Sequence, residues 1–86
     1  MKIEFHRHFI KCYKNALSKV KCQFEKRLSF FEKELFHPLL NNHLLSGNKK
    51  GQWSINVTGD WCAIYIFKDK NTVVFIDIDT HSNLYQ

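Results

Sequence analysis

The spacing of apolar residues changes character soon after the N-terminus. Residues 2–5 (KIEF) alternate polar and apolar positions, which predicts a short first strand. From Phe9 to Leu35 the apolar residues recur at steps of three and four without Gly or Pro, which predicts amphipathic helix. One helix of that length would extend roughly 40 Å, too long for so small a globule to cover. We therefore expect two helices, with a break near Asn15 to Ser18.

The remainder of the chain has the pattern of a β-meander. Pro38 is expected to stop the second helix, because proline cannot continue the hydrogen-bond ladder. Short polar turns separate the apolar segments that follow, and short turns require antiparallel neighbours. The predicted strands are His43–Leu45, Gln52–Val57, Trp61–Phe67 and Thr72–Ile78. The pattern predicts a single α+β domain, residues 1–86, with an N-terminal strand and a two-helix segment packed on a small twisted antiparallel sheet.

The formal net charge of +5 is unevenly distributed. Residues 1–50 carry eleven Lys and Arg against four Asp and Glu, whereas residues 51–86 carry two against four. A basic helical face of this kind commonly binds a polyanion such as RNA or an acidic protein partner, although a solvated basic helix is as common. No apolar run is long enough to span a membrane and no secretory leader is evident, so we expect a cytoplasmic protein without a membrane partner.

The cysteines favour neither a disulfide framework nor a zinc ribbon. Cys12, Cys22 and Cys62 are odd in number and lack C-x-x-C spacing, so they are interpreted as reduced packing thiols. Cys62 lies in an apolar strand without an adjacent base, which disfavours a nucleophilic role. His43, His81 and Asp60 could in principle bind zinc, but no closely spaced histidine pair supports such a site. We therefore predict neither a metal nor another cofactor.

Candidate chemistry is concentrated in the C-terminal half. If the helices cover one face of the sheet, the other face is free to carry a site. Two histidines and a carboxylate suffice for general acid–base chemistry near neutral pH, although a histidine of this kind is more often simply a surface group. The candidates are His43, Asn56, Asp60, Asp77, Asp79, His81, Ser82 and Tyr85.

Three stretches of this half carry a family resemblance. LNNHLLSG, WSINVTGDWCAIY and FIDIDTHSNLY resemble, in order and spacing, motifs of the RelE/YafQ superfamily of type II toxin–antitoxin toxins, the mRNA interferases. The resemblance covers residues 36–86 and implies a RelE-like fold. It also implies a cofactor-free endoribonuclease that cleaves mRNA, in many members on the ribosome. The implied partners are a cognate antitoxin, mRNA and the ribosome, with operator DNA bound only through the antitoxin complex.

The resemblance also assigns roles to individual positions. His43 and His81 would transfer protons, and Asp60 would orient a histidine or the ribose. Trp61 and Tyr85 would stack on bases, with core packing as the alternative for both. Cys62 occupies a substrate-binding position of the family.

Departures from the family pattern leave a second hypothesis open. Cys62 stands where related toxins have an arginine suited to phosphate, and the loss of one such charge can cost on the order of 10² to 10³ in rate. Asp79 stands near His81 at a usual glycine, and Asn56 and Asp77 replace a histidine and an arginine of YafQ-like members. The alternative is therefore a non-catalytic protein of the same fold, either a gyrase inhibitor of ParE type or a toxin remnant that binds its antitoxin. The retained histidines favour the enzyme.

Overall fold

The computed structural model describes residues 1–85 as an N-terminal strand, a helical layer and a C-terminal meander. Two short 3₁₀ turns, Pro38–Leu40 and Gly47–Lys49, flank the second strand. None of the helices within residues 1–85 is long and apolar enough to cross a membrane. The elements are β1 (Lys2–Phe5), α1 (Arg7–Lys14), α2 (Ser18–Lys33), β2 (His43–Leu44), β3 (Trp53–Asn56), β4 (Trp61–Asp69), β5 (Thr72–Thr80) and α3 (His81–Leu84).

The predicted helix break is confirmed. α1 ends at Lys14, and Leu17 adopts an extended backbone before α2 begins. The hydroxyl of Tyr13 donates to the carbonyl of Lys21 at 3.2 Å and fixes the angle between the two helices. The expectation that Pro38 ends α2 is wrong. The helix ends at Lys33, and Pro38 instead begins a 3₁₀ turn, where its missing N–H costs nothing.

The sheet has the order β1-β5-β4-β3-β2. Strands β2 to β5 form the expected antiparallel meander. β1 makes the sheet mixed, because it pairs in parallel with β5, from Lys2 opposite Thr72 to Phe5 opposite Phe75. The cause is topological: the helices carry the chain across the sheet to β2 at the far edge, and the meander then returns to β1.

The main core lies between the helices and the inner face of the sheet. Phe9 of α1 and Phe24 of α2 contact each other and Phe75 of β5, with ring centroids 5.3 to 5.8 Å apart. Phe31 packs edge-on against Tyr65 at 5.0 Å. Each fully buried aromatic side chain contributes roughly 1.5 to 3 kcal/mol of stabilisation, so this cluster fixes the helical layer on the sheet.

Opposite the helices, a smaller cluster lies on the face that we call the outer face. Along β4, Ala63 and Tyr65 belong to the main core, whereas Cys62 and Ile64 belong to the outer cluster, as strand alternation predicts. Leu84 of α3 packs on Cys62 and Ile64 together with Leu45. α3, which the sequence analysis did not predict, thus covers part of the outer face.

Candidate functional site

Tyr85 connects the surroundings of two predicted catalytic residues, His43 and His81, at the outer face. His43 of β2 is directly opposite Ser54 of β3, so their side chains share a face. The Tyr85 hydroxyl donates to the Ser54 hydroxyl oxygen at 2.8 Å. The Tyr85 ring also contacts the His81 ring, with centroids 4.4 Å apart. Tyr85 thus contacts His81 directly and reaches, through Ser54, the strand position opposite His43.

His43 is positioned by the tight turn before β2. Asn41 adopts a left-handed conformation with φ of 45°, and its carbonyl lies 2.8 Å from Nδ1 of His43. A carbonyl only accepts, so Nδ1 must carry the proton of this bond and Nε2 of the neutral ring is left as an acceptor. The side chain of Asn42 secures the turn by donating to the Leu35 carbonyl and accepting from the Tyr65 hydroxyl. The exposed Nε2 of His43 is therefore suited to accept a proton.

His81 begins α3 and is held through its backbone. Its N–H donates to the carbonyl of Asp60 at 2.7 Å, and the Thr80 hydroxyl caps the helix by accepting from Asn83 N–H. Asp79 accepts from Thr80 N–H at 2.7 Å and from the side-chain amide of Asn83 at 3.1 Å. Asp79 therefore stabilises the entry into α3, a role that a glycine could not fill.

The side chains of Asp60 and Trp61 line a different cleft from that of Tyr85. β4 begins at Trp61, so strand alternation does not extend to Asp60, which belongs to the preceding turn. Both residues line an open cleft of about 680 Å³ beside the start of α2, where Leu17 and Lys19 form the opposite wall. Trp61 also packs against the main core. Within residues 1–85, the contact of Asp60 with a histidine is the hydrogen bond from His81 N–H to the Asp60 backbone carbonyl.

Cys62 lies beneath α3 and is not open to solvent. It is 4% exposed, and its thiol donates to the Asn56 side-chain oxygen at 3.8 Å. Burial raises the pKa of the Cys62 thiol, a hydrogen bond with Ser54 lowers it, and the charge of Asp60 raises it. The side chain of Cys62 therefore packs under Leu84 of α3 rather than at the open surface of the site.

A lysine that the sequence analysis did not single out lies at the outer face. Lys49 ends the 3₁₀ turn after β2 and lines a polar cleft of about 400 Å³ with Asn48, Asn83 and Tyr85. A basic residue and Tyr85 therefore share this cleft. The indication in the sequence was the pair Lys49–Lys50 in a loop shortly after His43.

Comparison with known families identifies the fold. A family model described as the bacterial toxin of type II toxin–antitoxin system, YafQ, matches residues 1–86. The chain belongs to the YafQ toxin family. By sequence alone, no curated protein matches this YafQ-family chain significantly.

Solved structures agree with the family assignment. The crystal structure of YafQ from E. coli strain BL21(DE3) superposes with a TM-score of 0.81 at 22% identity, covering 99% of this chain and 98% of that one. YafQ in the E. coli DinJ–YafQ toxin–antitoxin complex gives 0.77 at 24% identity, covering 99% and 97%. A YoeB/ParE toxin from Agrobacterium tumefaciens gives 0.77 at 16% identity, covering 94% and 99%. The predicted RelE/YafQ-superfamily membership and α+β RelE-like fold of this YafQ-family chain are thus confirmed.

Proposed function

We propose that this YafQ-family toxin is an endoribonuclease that cleaves mRNA at the outer face. The observation that carries the proposal is that Tyr85 contacts His81 through its ring and, through its hydroxyl, Ser54, the residue opposite the exposed His43. Two imidazoles can supply a base and an acid in one step. The reaction requires neither a metal nor a cofactor.

We assign the two roles from the hydrogen bond at His43. Nε2 of His43 takes the proton of the ribose 2′-hydroxyl, and the 2′-oxygen attacks the adjacent phosphorus. His81 protonates the departing 5′-oxygen, which leaves a 2′,3′-cyclic phosphate and a 5′-hydroxyl end. Lys49 lies on the same face and supplies positive charge to the phosphorane. Tyr85 holds the His81 ring and offers its exposed part for stacking.

Asp60, in the turn before β4, and Trp61, the first residue of β4, have supporting roles in the proposal. The Asp60 carbonyl holds the backbone of His81, so we assign Asp60 a positioning role. Trp61 is half-buried and lines the cleft beside α2, where its ring offers a stacking surface for a flanking base. Stacking of this kind does not depend on which base is present, so it suits an mRNA held by the ribosome.

The second candidate, a non-catalytic toxin remnant, is favoured by the lack of an arginine at the site. Of the two arginines in the chain, Arg7 lies on α1, and Arg27 donates to the backbone carbonyls of Val57 and Leu39. Cys62 is buried and uncharged, and it offers no phosphate contact in place of an arginine. We therefore expect the native chain to be slower than an arginine-bearing relative by on the order of 10² to 10³.

The proposed protein partner is a cognate antitoxin that binds the helical layer. Apolar side chains of β1, α1 and α2 form a groove of about 350 Å³, whose charged lining residues are Lys14 and Glu25. An amphipathic helix would fit this groove with its apolar stripe and could pair an acidic residue with Lys14. The similar E. coli YafQ structure is of a complex with DinJ. Co-expression with the product of a short neighbouring open reading frame, with and without Ile10→Glu, tests this surface.

Primer extension on an mRNA held by translating ribosomes tests the activity. The native chain is compared with His81→Ala, with Cys62→Arg and with the control His6→Ala, which removes an exposed histidine at the start of α1. Codon-positioned cuts by the native chain and the control that disappear with His81→Ala support the ribonuclease. Cuts that appear only with Cys62→Arg indicate a disabled toxin on an intact scaffold. No cuts by any of the four proteins would support the binding-only function.

A further inference from the structure

A cluster of three potential metal ligands lies at the edge of the sheet, outside the site described above. His8, Cys12 and Asp77 each offer one donor atom, and these three atoms all lie within 4.8 Å of one another. Nε2 of His8 is 3.5 Å from Sγ of Cys12 and 3.3 Å from Oδ1 of Asp77. Asp77 was one of the candidates from the sequence, but none of the three has a part in the cleavage proposed above.

The fold brings these residues together by two local features. His8 and Cys12 are four residues apart on α1, so they project from the same side of the helix. Asp77 lies at a β-bulge in β5: Ile64 is opposite Asp77 whereas Tyr65 is opposite Phe75, which leaves Ile76 as the extra residue. The Asp77 carboxylate also accepts from the N–H of Ile78 at 2.9 Å, which fixes its orientation.

The two separations that involve His8 fit a tetrahedral ion. Bonds of zinc to nitrogen, sulfur and oxygen at tetrahedral angles place a nitrogen and a sulfur ligand about 3.6 Å apart, and a nitrogen and an oxygen ligand about 3.4 Å apart. The observed separations of 3.5 and 3.3 Å agree with both values. Imidazole and thiolate select zinc over magnesium and calcium. The side chain of His8 is 55% exposed, which leaves room for water as a fourth ligand.

The surrounding charges also favour a dication. The Asp77 and Asp79 carboxylates lie near the Cys12 thiol, with Lys11 as a nearby positive charge. The same two carboxylates attract a divalent cation. When the ion binds, the thiol releases its proton to solvent and the thiolate becomes a ligand.

We propose that His8, Cys12 and Asp77 bind one zinc ion that joins α1 to the bulge of β5. This site is independent of the proposed ribonuclease activity, because its ligands belong to other elements than His43, His81 and Tyr85. An ion bound here would cross-link the helical layer to the sheet in the folded state alone and would stabilise the domain.

Metal titration of the purified, tag-free native chain tests the proposal. Zinc affinity is measured by competition with a chromophoric chelator, and cobalt is added separately to detect the absorption band of a cobalt–thiolate bond. The variants are Cys12→Ser and Asp77→Asn, the second of which keeps the size of the side chain. Cys22→Ser, which removes an exposed thiol from α2, is the matched control.

The expected result is one equivalent of bound metal in the native chain and in Cys22→Ser, with a thiolate band in both. Cys12→Ser should lose the band, and both site variants should bind zinc at least about tenfold more weakly. Circular dichroism of each protein without metal establishes that the variants are folded. Equal zinc affinity in all four proteins, absence of the thiolate band from the native chain, or its loss with Cys22→Ser would overturn the proposal.

Discussion

The hydrogen bond between Tyr85 and Ser54 is expected to make a measurable contribution to stability. Tyr85→Phe removes the hydroxyl that donates to Ser54 at 2.8 Å and leaves the ring in place. Ser54 is 0% exposed, so its hydroxyl would lose a partner at a position that water does not reach. A net hydrogen bond is worth roughly 0.5 to 1.5 kcal/mol, and a buried group left unpaired costs roughly 1 to 3 kcal/mol. We expect Tyr85→Phe to lower the free energy of unfolding by about 1 kcal/mol, or the melting temperature by roughly 4 to 8 °C.

A double-mutant cycle separates this bond from other effects of the substitution. Ser54→Ala and the double variant are measured beside Tyr85→Phe by urea denaturation at pH 7. If the two hydroxyls depend on each other, the double variant should lose about 1 kcal/mol less free energy of unfolding than the sum of the losses in the two single variants. Additive effects would refute the reasoning, because they would mean that the bond between α3 and β3 does not contribute to stability.

Three further predictions concern other parts of the chain. Burial raises the pKa of Tyr65 to about 12 in the folded protein. The protonated Tyr65 hydroxyl therefore contributes stability that is fully present below about pH 10 and is lost as the pH rises through 12. Between pH 8 and 11 the free energy of unfolding, measured by urea denaturation, should fall by about 1.4 kcal/mol more in the native chain than in Tyr65→Phe. Equal decreases would contradict this. Arg27→Met should destabilise by about 1 to 2 kcal/mol in the same assay because it frees two carbonyls, whereas Lys26→Met on the exposed side should change little. Lys49→Gln should slow RNA cleavage about tenfold or more in single-turnover reactions, whereas Lys50→Gln should not; equal rates would remove Lys49 from the site.

The sequence predicted the features that local patterns determine. The alternation along β4 placed Cys62 and Ala63 on opposite faces, and the length of the helical pattern required the break that lies between Lys14 and Ser18. Both follow from residues close together in the chain. The family motifs, in turn, indicated His81 and Tyr85, whose rings are in contact.

Features that depend on distant pairing were not predictable in the same way. The parallel pairing of β1 with β5 results from the crossover of the whole helical layer. The four residues of β1 do not themselves indicate the strand with which they pair. α3 is too short to show a helical period. The burial of Cys62 depends on Leu84 of that helix, and the cluster of His8 with Asp77 depends on a bulge that no local pattern indicated.

The role of the ribose 2′-hydroxyl provides the most direct test of the central claim. Two messages are placed on translating ribosomes, one all-ribose and one with a single 2′-deoxynucleotide at the cut position, and each is treated with the native chain and with Cys62→Arg. Our account predicts that the all-ribose message is cut to leave a 5′-hydroxyl end and that the cut disappears at the deoxy position. Equal cleavage of both messages, or no cleavage of either message by either protein, would contradict it.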